Sequence, residues 1–454
     1  MTTRIPGPGP RGHWLLGCLP DLRRDILGFF ERTRRDYGDV AYFRIGNRRS
    51  MLLSNPADIE QVLVAENRHF IKNFALSFFL QPLLGNGLLL NEGESWLRQR
   101  RLIQPAFSRT RIESYAGAMV EMTERMLGQW KDGEERNVGL DMLHLTMTIA
   151  GKTLLDVDVG GRYMEVADLL EQVMYGFLDR FGSPITIPFW VPTPAHRRLK
   201  RAIARLDSIL LEMIEERRRS GAKGNDLLSL LILARDEDGG GAMSDAQLRD
   251  EVMTMFLAGH ETTANALTWT LFLLGQHPEI QHQLRDEAAG VLGGRRPVAS
   301  DAARLPLCER VVREGMRLYP PAFVVGRRPM EDIVVAGHRM PKGTNVLMSQ
   351  WVVHRDERWY SRPEEFDPSR WEGDWQARMP KYAYFPFGGG PRVCIGNTFA
   401  MQEAILVLAM IVERFELLPI TQPPVVMQPA VTLRPAELIL MQVRQCGGGC
   451  LLAS

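Results

Sequence analysis

Apolar residues recur at three-to-four spacing through Asp21 to Tyr37, Glu113 to Trp130, Met164 to Arg180, Ala195 to Arg219, Ser244 to Gln276, Pro278 to Val291, Leu307 to Leu318 and Asn397 to Phe415. That spacing places them on one face of a helix, so the chain is predicted to be mainly α. Shorter strand-like stretches run from Val40 to Leu53, Ile333 to Met340 and Asn345 to Trp351, the last two separated by turn residues at Gly337-His338 and Pro341-Lys342-Gly343. These predict a small β region beside the helices. Ser244 followed by Gln247 reads as a helix cap, and the pattern then continues until His277-Pro278 stops it. A helix of that length spans about 50 Å at about 1.5 Å per residue. No fixed-period repeat is present, and the glycine-rich stretches Asp236 to Ala242 and Gly290 to Arg296 are short enough to be loops. One domain over residues 1–454 is the expected division, with residues 1–10 and 445–454 as flexible ends.

Composition narrows the class without naming an activity. Of the 454 residues 45% are hydrophobic and 24% charged, which is ordinary for a globular protein and argues against disorder. The 55 basic and 54 acidic residues nearly cancel to +1, so no overall field draws nucleic acid or anionic lipid. No stretch supplies the roughly 20 apolar residues of a membrane span, and Val252 to Leu274 is interrupted by Gly259, His260, Glu261 and Thr262. Without a signal-like segment at its start, the protein is expected to be cytoplasmic, with its five scattered cysteines reduced. Cys446 and Cys450 bracket three glycines and read as part of a frayed end rather than a metal or redox pair.

The chemistry concentrates around Cys394. In Phe387-Gly388-Gly389-Gly390-Pro391-Arg392-Val393-Cys394-Ile395-Gly396, one cysteine stands where a loop passes into the helical pattern from Asn397. Glycines let backbone lie close to a flat ligand, and a helix start aims amide N–H groups at the sulfur, an arrangement expected to favour a thiolate. Arg392 is placed to pair with a carboxylate of the same ligand. Taken alone, a solitary cysteine is more often structural. Here the segment matches Phe-x-x-Gly-x-Arg-x-Cys-x-Gly at all five fixed positions, and so resembles the haem-binding signature of the cytochrome P-450 family.

Three further motifs carry the same resemblance in the same order. Ala258-Gly259-His260-Glu261-Thr262-Thr263 resembles the family's acid–alcohol pair. This implies that Thr262 hydrogen-bonds bound dioxygen and that Glu261 relays protons, although alone the two would read as ordinary helix residues. Glu314 and Arg317 are three residues apart on one helical face, and Phe366 to Trp371 resembles the meander whose arginine, here Arg370, joins that pair in a buried network. Ser369 and Trp371 depart from the usual glutamate and phenylalanine. Trp96 and Arg100 are one turn apart, and the family uses such a pair on haem propionates; Arg327 matches another propionate-binding arginine, with Arg328 as the alternative.

The resemblance implies a single-domain cytochrome P-450 fold with haem b (iron protoporphyrin IX) between the long central helix and the cysteine-loop helix. Cys394 would be the iron ligand, and Trp96, Arg100, Arg327, Phe387, Gly388, Arg392 and Gly396 would hold the cofactor. Thiolate ligation favours O–O cleavage, so the implied reaction is monooxygenation, the hydroxylation or epoxidation of a substrate. A peroxide-dependent or rearranging haem-thiolate enzyme is one alternative, and a non-enzymatic haem sensor another; the intact Glu261-Thr262 pair favours dioxygen chemistry. No Gly-x-Gly-x-x-Gly fingerprint in strand–helix context is present, so electrons are expected from a separate ferredoxin or flavodoxin, docking on Arg98, Arg100, Arg101, Arg109 and Arg111. Phe70, Phe74, Phe78, Phe79, Leu80, Met174, Tyr175, Phe177, Phe181, Ala322, Phe323 and Val324 are expected around the distal pocket, which suits a hydrophobic small molecule such as a terpenoid, a fatty acid or an aromatic natural product.

Overall fold

The computed structural model describes residues 7–156, 165–166, 168–170, 172–173, 176–177, 187–221, 224, 226–234 and 242–446. Helices make up most of it, with small sheets at the side, as the periodicity predicts. The long helix, Asp245–Gly275, starts at Ser244, whose side chain accepts from Gln247 N at 3.2 Å, and ends before His277 and Pro278. Its 31 residues cross the molecule, and 24 of them are buried. A helix that is buried all round belongs in the core. It packs against Val138–Ala150 and Pro306–Leu318, while Asn397–Arg414 closes the other side of the same core.

Past Asp250 the burial breaks in one place. Ala258 is exposed and Gly259 and Thr262 are half-buried, although their neighbours on both sides are covered. A gap in the packing of a central helix is a cavity wall.

Most helix boundaries fall within a few residues of the expected ones. The segment Asp21 to Tyr37 instead forms two helices, Leu19–Arg24 and Ile26–Tyr37, because Asp25 leaves helical geometry and its carboxylate accepts from Gly28 N at 2.9 Å, capping the second. Part of the stretch Met164 to Arg180 lies outside the described residues; those described between 165 and 177 are helical.

Five strands form the main sheet: β1 (Val40–Ile45), β2 (Arg48–Leu53), β3 (Phe70–Lys72), β4 (Val325–Pro329) and β5 (Asn345–Met348), in the order β1-β2-β5-β4-β3. The stretch Val40 to Leu53 is a hairpin that turns at Gly46, where φ is +59°. The expected strand Asn345 to Trp351 stops at Met348, because Ser349 caps the short helix Gln350–Val353 through Val352 N. Ile333 to Met340 folds into a hairpin of its own and does not join this sheet.

Candidate active site

The cysteine loop is shaped by its glycines. Gly388 and Gly390 take φ of +71° and +66°, a region open to glycine and costly for other residues. A Cβ on Gly390 would sit 1.8 Å from Leu63 O, so the loop can lie against that carbonyl only with glycine here. The loop closes through Cys394 N, which donates to Phe387 O at 3.0 Å, and the helix Asn397–Arg414 begins just after Gly396. Phe387, Gly388, Arg392, Cys394 and Gly396 all border one cavity of about 1340 Å³. That exceeds the roughly 300 to 1,000 Å³ of a single small-molecule site. It leaves room for a flat cofactor and a second ligand.

Cys394 is surrounded by protein, yet its side chain is exposed, because its open surface faces this cavity. Burial pushes its thiol above the usual range, while the Gly396 amide and the Arg100 charge pull the other way and lose. The helix start favours the thiolate through the Gly396 amide, as expected from the sequence, but burial outweighs it. A metal cation at the sulfur would offset the desolvation, as in any metal-bound thiolate. Among the described residues no group of three or more His, Cys, Asp or Glu side chains could hold a metal. Iron at Cys394 would then take its other ligands from a cofactor, which suits a porphyrin.

The long helix supplies another wall through Ala258, Gly259 and Thr262. A Cβ on Gly259 would meet nothing within 4 Å, so free space begins at the backbone. Thr262 Oγ1 donates to Ala258 O at 2.7 Å, a bond within its own helix. Glu261 is buried, and its Oε1 accepts from Thr432 Oγ1 at 2.6 Å. Burial raises the proton affinity of Glu261, and the Thr432 hydroxyl and the Arg434 charge oppose that rise.

A third part of the wall is cationic. Lys72, Arg100, Arg327 and Arg392 border the cavity. Close by, the Glu92 carboxylate pairs with Arg392 and accepts from Lys72 N at 2.7 Å. Arg392 also donates to Asn91 O at 2.7 Å, and its guanidinium lies 3.9 Å from the Trp96 ring centre. Arg100 Nη1 donates to Val393 O at 3.0 Å in the cysteine loop. Burial pushes Lys72 down to about 7 and Arg327 to about 10, and the Arg392 charge adds to both shifts. Glu251, which accepts from Leu88 N at 2.9 Å, is pushed up to about 8 by burial. Cations in excess of carboxylates, drawn into a buried wall, fit a ligand that carries carboxylates of its own.

Strand register separates Arg327 from Arg328. Lys72 pairs with Arg327 and Ile71 with Arg328, and neighbours on a strand face opposite sides. Arg327 lines the cavity and Arg328 is not among its lining residues. Lys72 and Glu92 escape a reading of the sequence, since each looks like an ordinary surface charge until β3 and the start of the helix Gly93–Ile103 bring them together.

Behind the cysteine loop lies the network that the meander motif implies. Glu314 and Arg317 are fully buried and joined by two bonds, at 2.8 and 2.9 Å. Arg317 also donates to His354 O at 2.9 Å, Pro363 O at 2.6 Å and Glu365 O at 3.0 Å. Arg370 reaches Glu314 at 3.2 Å, and the Trp371 indole donates to it at 3.0 Å, so the departure at Trp371 adds a donor. His354 Nε2 accepts from Phe385 N at 3.0 Å, which carries the network to the start of the cysteine loop.

The apolar wall is only partly the expected one. Phe74, Phe78, Phe79, Leu80, Ala322, Phe323 and Val324 line the cavity. Phe70 and Phe177 are core residues instead: Phe70 belongs to the buried cluster that holds Phe385 and Met348, and Phe177 to the one that holds Leu199 and Leu206. Met174, Tyr175 and Phe181 lie outside the described residues, as does Cys450. Cys446 is half-buried.

Comparison with known proteins agrees with this geometry. The family model for cytochrome P450 matches residues 6–442. The chain is 38% identical to cyclooctatin synthase of Streptomyces melanosporofaciens, covering 96% of this chain and 94% of that one. It is 36% identical to cyclooctat-9-en-7-ol 5-monooxygenase of the same organism (91% and 90% covered) and 33% identical to pentalenene oxygenase of Streptomyces avermitilis (96% and 95%). The crystal structure of the cytochrome P450DA heme domain superposes with a TM-score of 0.88 at 28% identity, covering 97% of each chain. No helix among the described residues is long and apolar enough to cross a membrane. The chain belongs to the cytochrome P450 family and is a haem-dependent monooxygenase.

Proposed function

We propose that the chain is a single monooxygenase domain that binds haem b through Cys394 and hydroxylates or epoxidises a terpenoid in the cytoplasm. The observation that carries the reading is the shared cavity, where Cys394, the cations Lys72, Arg100, Arg327 and Arg392, and Thr262 all meet. When bound, haem supplies dioxygen activation: one oxygen atom enters the substrate, the other leaves as water, and two electrons and two protons are consumed.

The side chains divide the remaining work. Cys394 ligates the iron, and the cationic wall, with the Trp96 ring stacked on Arg392, holds the cofactor's carboxylates. Thr262 exchanges its bond to Ala258 O for one to oxygen in the cavity, and Glu261 passes it protons from solvent. Phe74, Phe78 and Phe79 form an aromatic row that excludes water and packs on a hydrocarbon. The names of the two monooxygenating relatives favour a terpenoid over a fatty acid or an aromatic natural product.

Electrons reach the site from a separate ferredoxin or flavodoxin type partner. The test is turnover with a ferredoxin, its reductase and ¹⁸O₂ over a panel of cyclic terpenes and terpene alcohols. The proposal expects one ¹⁸O atom in the product; oxidation by hydrogen peroxide alone, with none from dioxygen and reductant, overturns it.

A further inference from the structure

Glu261, Asn265 and Trp269 follow one another every fourth residue along the long helix, so they share one face. All three engage two consecutive residues that lead into and begin the strand Leu433–Pro435. Thr432 Oγ1 donates to Glu261 Oε1 at 2.6 Å, Asn265 Nδ2 donates to Thr432 Oγ1 at 3.2 Å, and Trp269 Nε1 donates to Leu433 O at 3.1 Å. Leu433 N is fixed in turn to Pro321 O at 2.9 Å. Thr432 therefore cannot drift from the helix, and Glu261, Asn265 and Thr432 are all buried.

The direction of the hydroxyl follows from its partners. A threonine hydroxyl has one proton to give and lone pairs to receive. Asn265 supplies an N–H to a lone pair, which leaves the single O–H for the Glu261 carboxyl. The charged group acting on Glu261 is Arg434, whose Nε is bonded to Gln428 Oε1 at 3.0 Å; the other influence is burial. Thr432 and Glu261 both border the cavity, so this contact sits on the wall where protons must arrive.

We propose that Thr432 is a positioning residue for proton delivery: its hydroxyl, aimed by Asn265, holds the Glu261 carboxyl in place and lends it a hydrogen bond. A carboxyl that passes protons must take one from the solvent side and return to carboxylate after giving it up. Burial makes it hold the proton, and the Thr432 hydrogen bond works against that hold. The inference rests on Glu261 acting as the relay.

The test is an infrared pH titration of the ferric holoenzyme, following the C=O band of the protonated carboxyl that Glu261→Gln removes. Thr432→Val, nearly the same shape, should move the midpoint up by about one pH unit. Thr432→Ser should restore the parental midpoint, and Asn265→Leu should move it less but in the same direction. Product formed per electron consumed should fall with Thr432→Val and recover with Thr432→Ser. A parental midpoint in folded Thr432→Val overturns the proposal; if that variant does not fold, a parental midpoint in Asn265→Leu does so. The titration needs no turnover, so it judges Thr432 separately from the monooxygenase reading, which the ¹⁸O₂ experiment tests.

Discussion

His260 stands one residue before the acid–hydroxyl pair and faces away from it. Its ring is buried and bonds Phe256 O at 2.7 Å through Nδ1, while its own carbonyl accepts from Thr146 Oγ1 at 3.0 Å. Burial pushes the imidazole down to about 4, against about 6.5 for an exposed histidine. Between those values the unfolded chain binds a proton that the folded chain refuses, so stability is lost as pH falls from about 6.5 towards 4. His354 shifts in the same direction for the same reason. We expect the melting temperature to drop across that window and His260→Gln to drop less; equal losses for parent and variant would exclude His260 as a cause. At this scale the sequence was informative where a motif marks the residue, as at Cys394 and Thr262, which both border the cavity. It was silent where partners come from far along the chain: Glu92 meets Arg392, and Thr432 meets Glu261, only after folding.

Among the elements, the long helix and the helix after the cysteine were legible because each carries its own start signal, Ser244 for one and the glycine-rich loop for the other. Strands β3 and β4 were not, since three and five residues hold too little alternation to stand out, and they exist by pairing with each other. The same limit explains Phe70: its side chain is apolar in either place, and only β3 turns it into the core. Glu314 ties several elements together, bonding Arg317, Arg370, the Trp371 indole and Asp367 N. Replacing it with glutamine leaves buried guanidinium groups without their counter-charge, which costs about 3 to 5 kcal/mol. Calorimetry should register that loss together with faster release of haem. Glu309→Gln, which breaks the more exposed pair with Arg313, should cost about 0 to 1 kcal/mol; comparable losses at both positions would remove the special role of the network.

Over the whole molecule the net charge of +1 supplies no steering, so a redox partner must use a local patch. Arg98 and Arg101 lie on the helix Gly93–Ile103, and Arg109 and Arg111 at the start of Arg109–Leu127, the same region that sends Arg100 inward to Val393 O. Reversing the charge at Arg98 and Arg101 together should slow reduction by an acidic ferredoxin, more at low salt than at high. Stopped-flow rates that do not respond to salt would remove the patch from the account. The proposed reading depends on iron being held by the Cys394 sulfur, because the roles it gives the cationic wall, the acid–hydroxyl pair and the buried network all need a cofactor at that position. The absorption spectrum of the reduced, carbon monoxide-treated protein tests that bond most directly. The parent should give the red-shifted Soret band of thiolate ligation and Cys394→Ala should lose it; a colourless parent after expression with ample haem, or an unchanged band in the variant, would contradict the account.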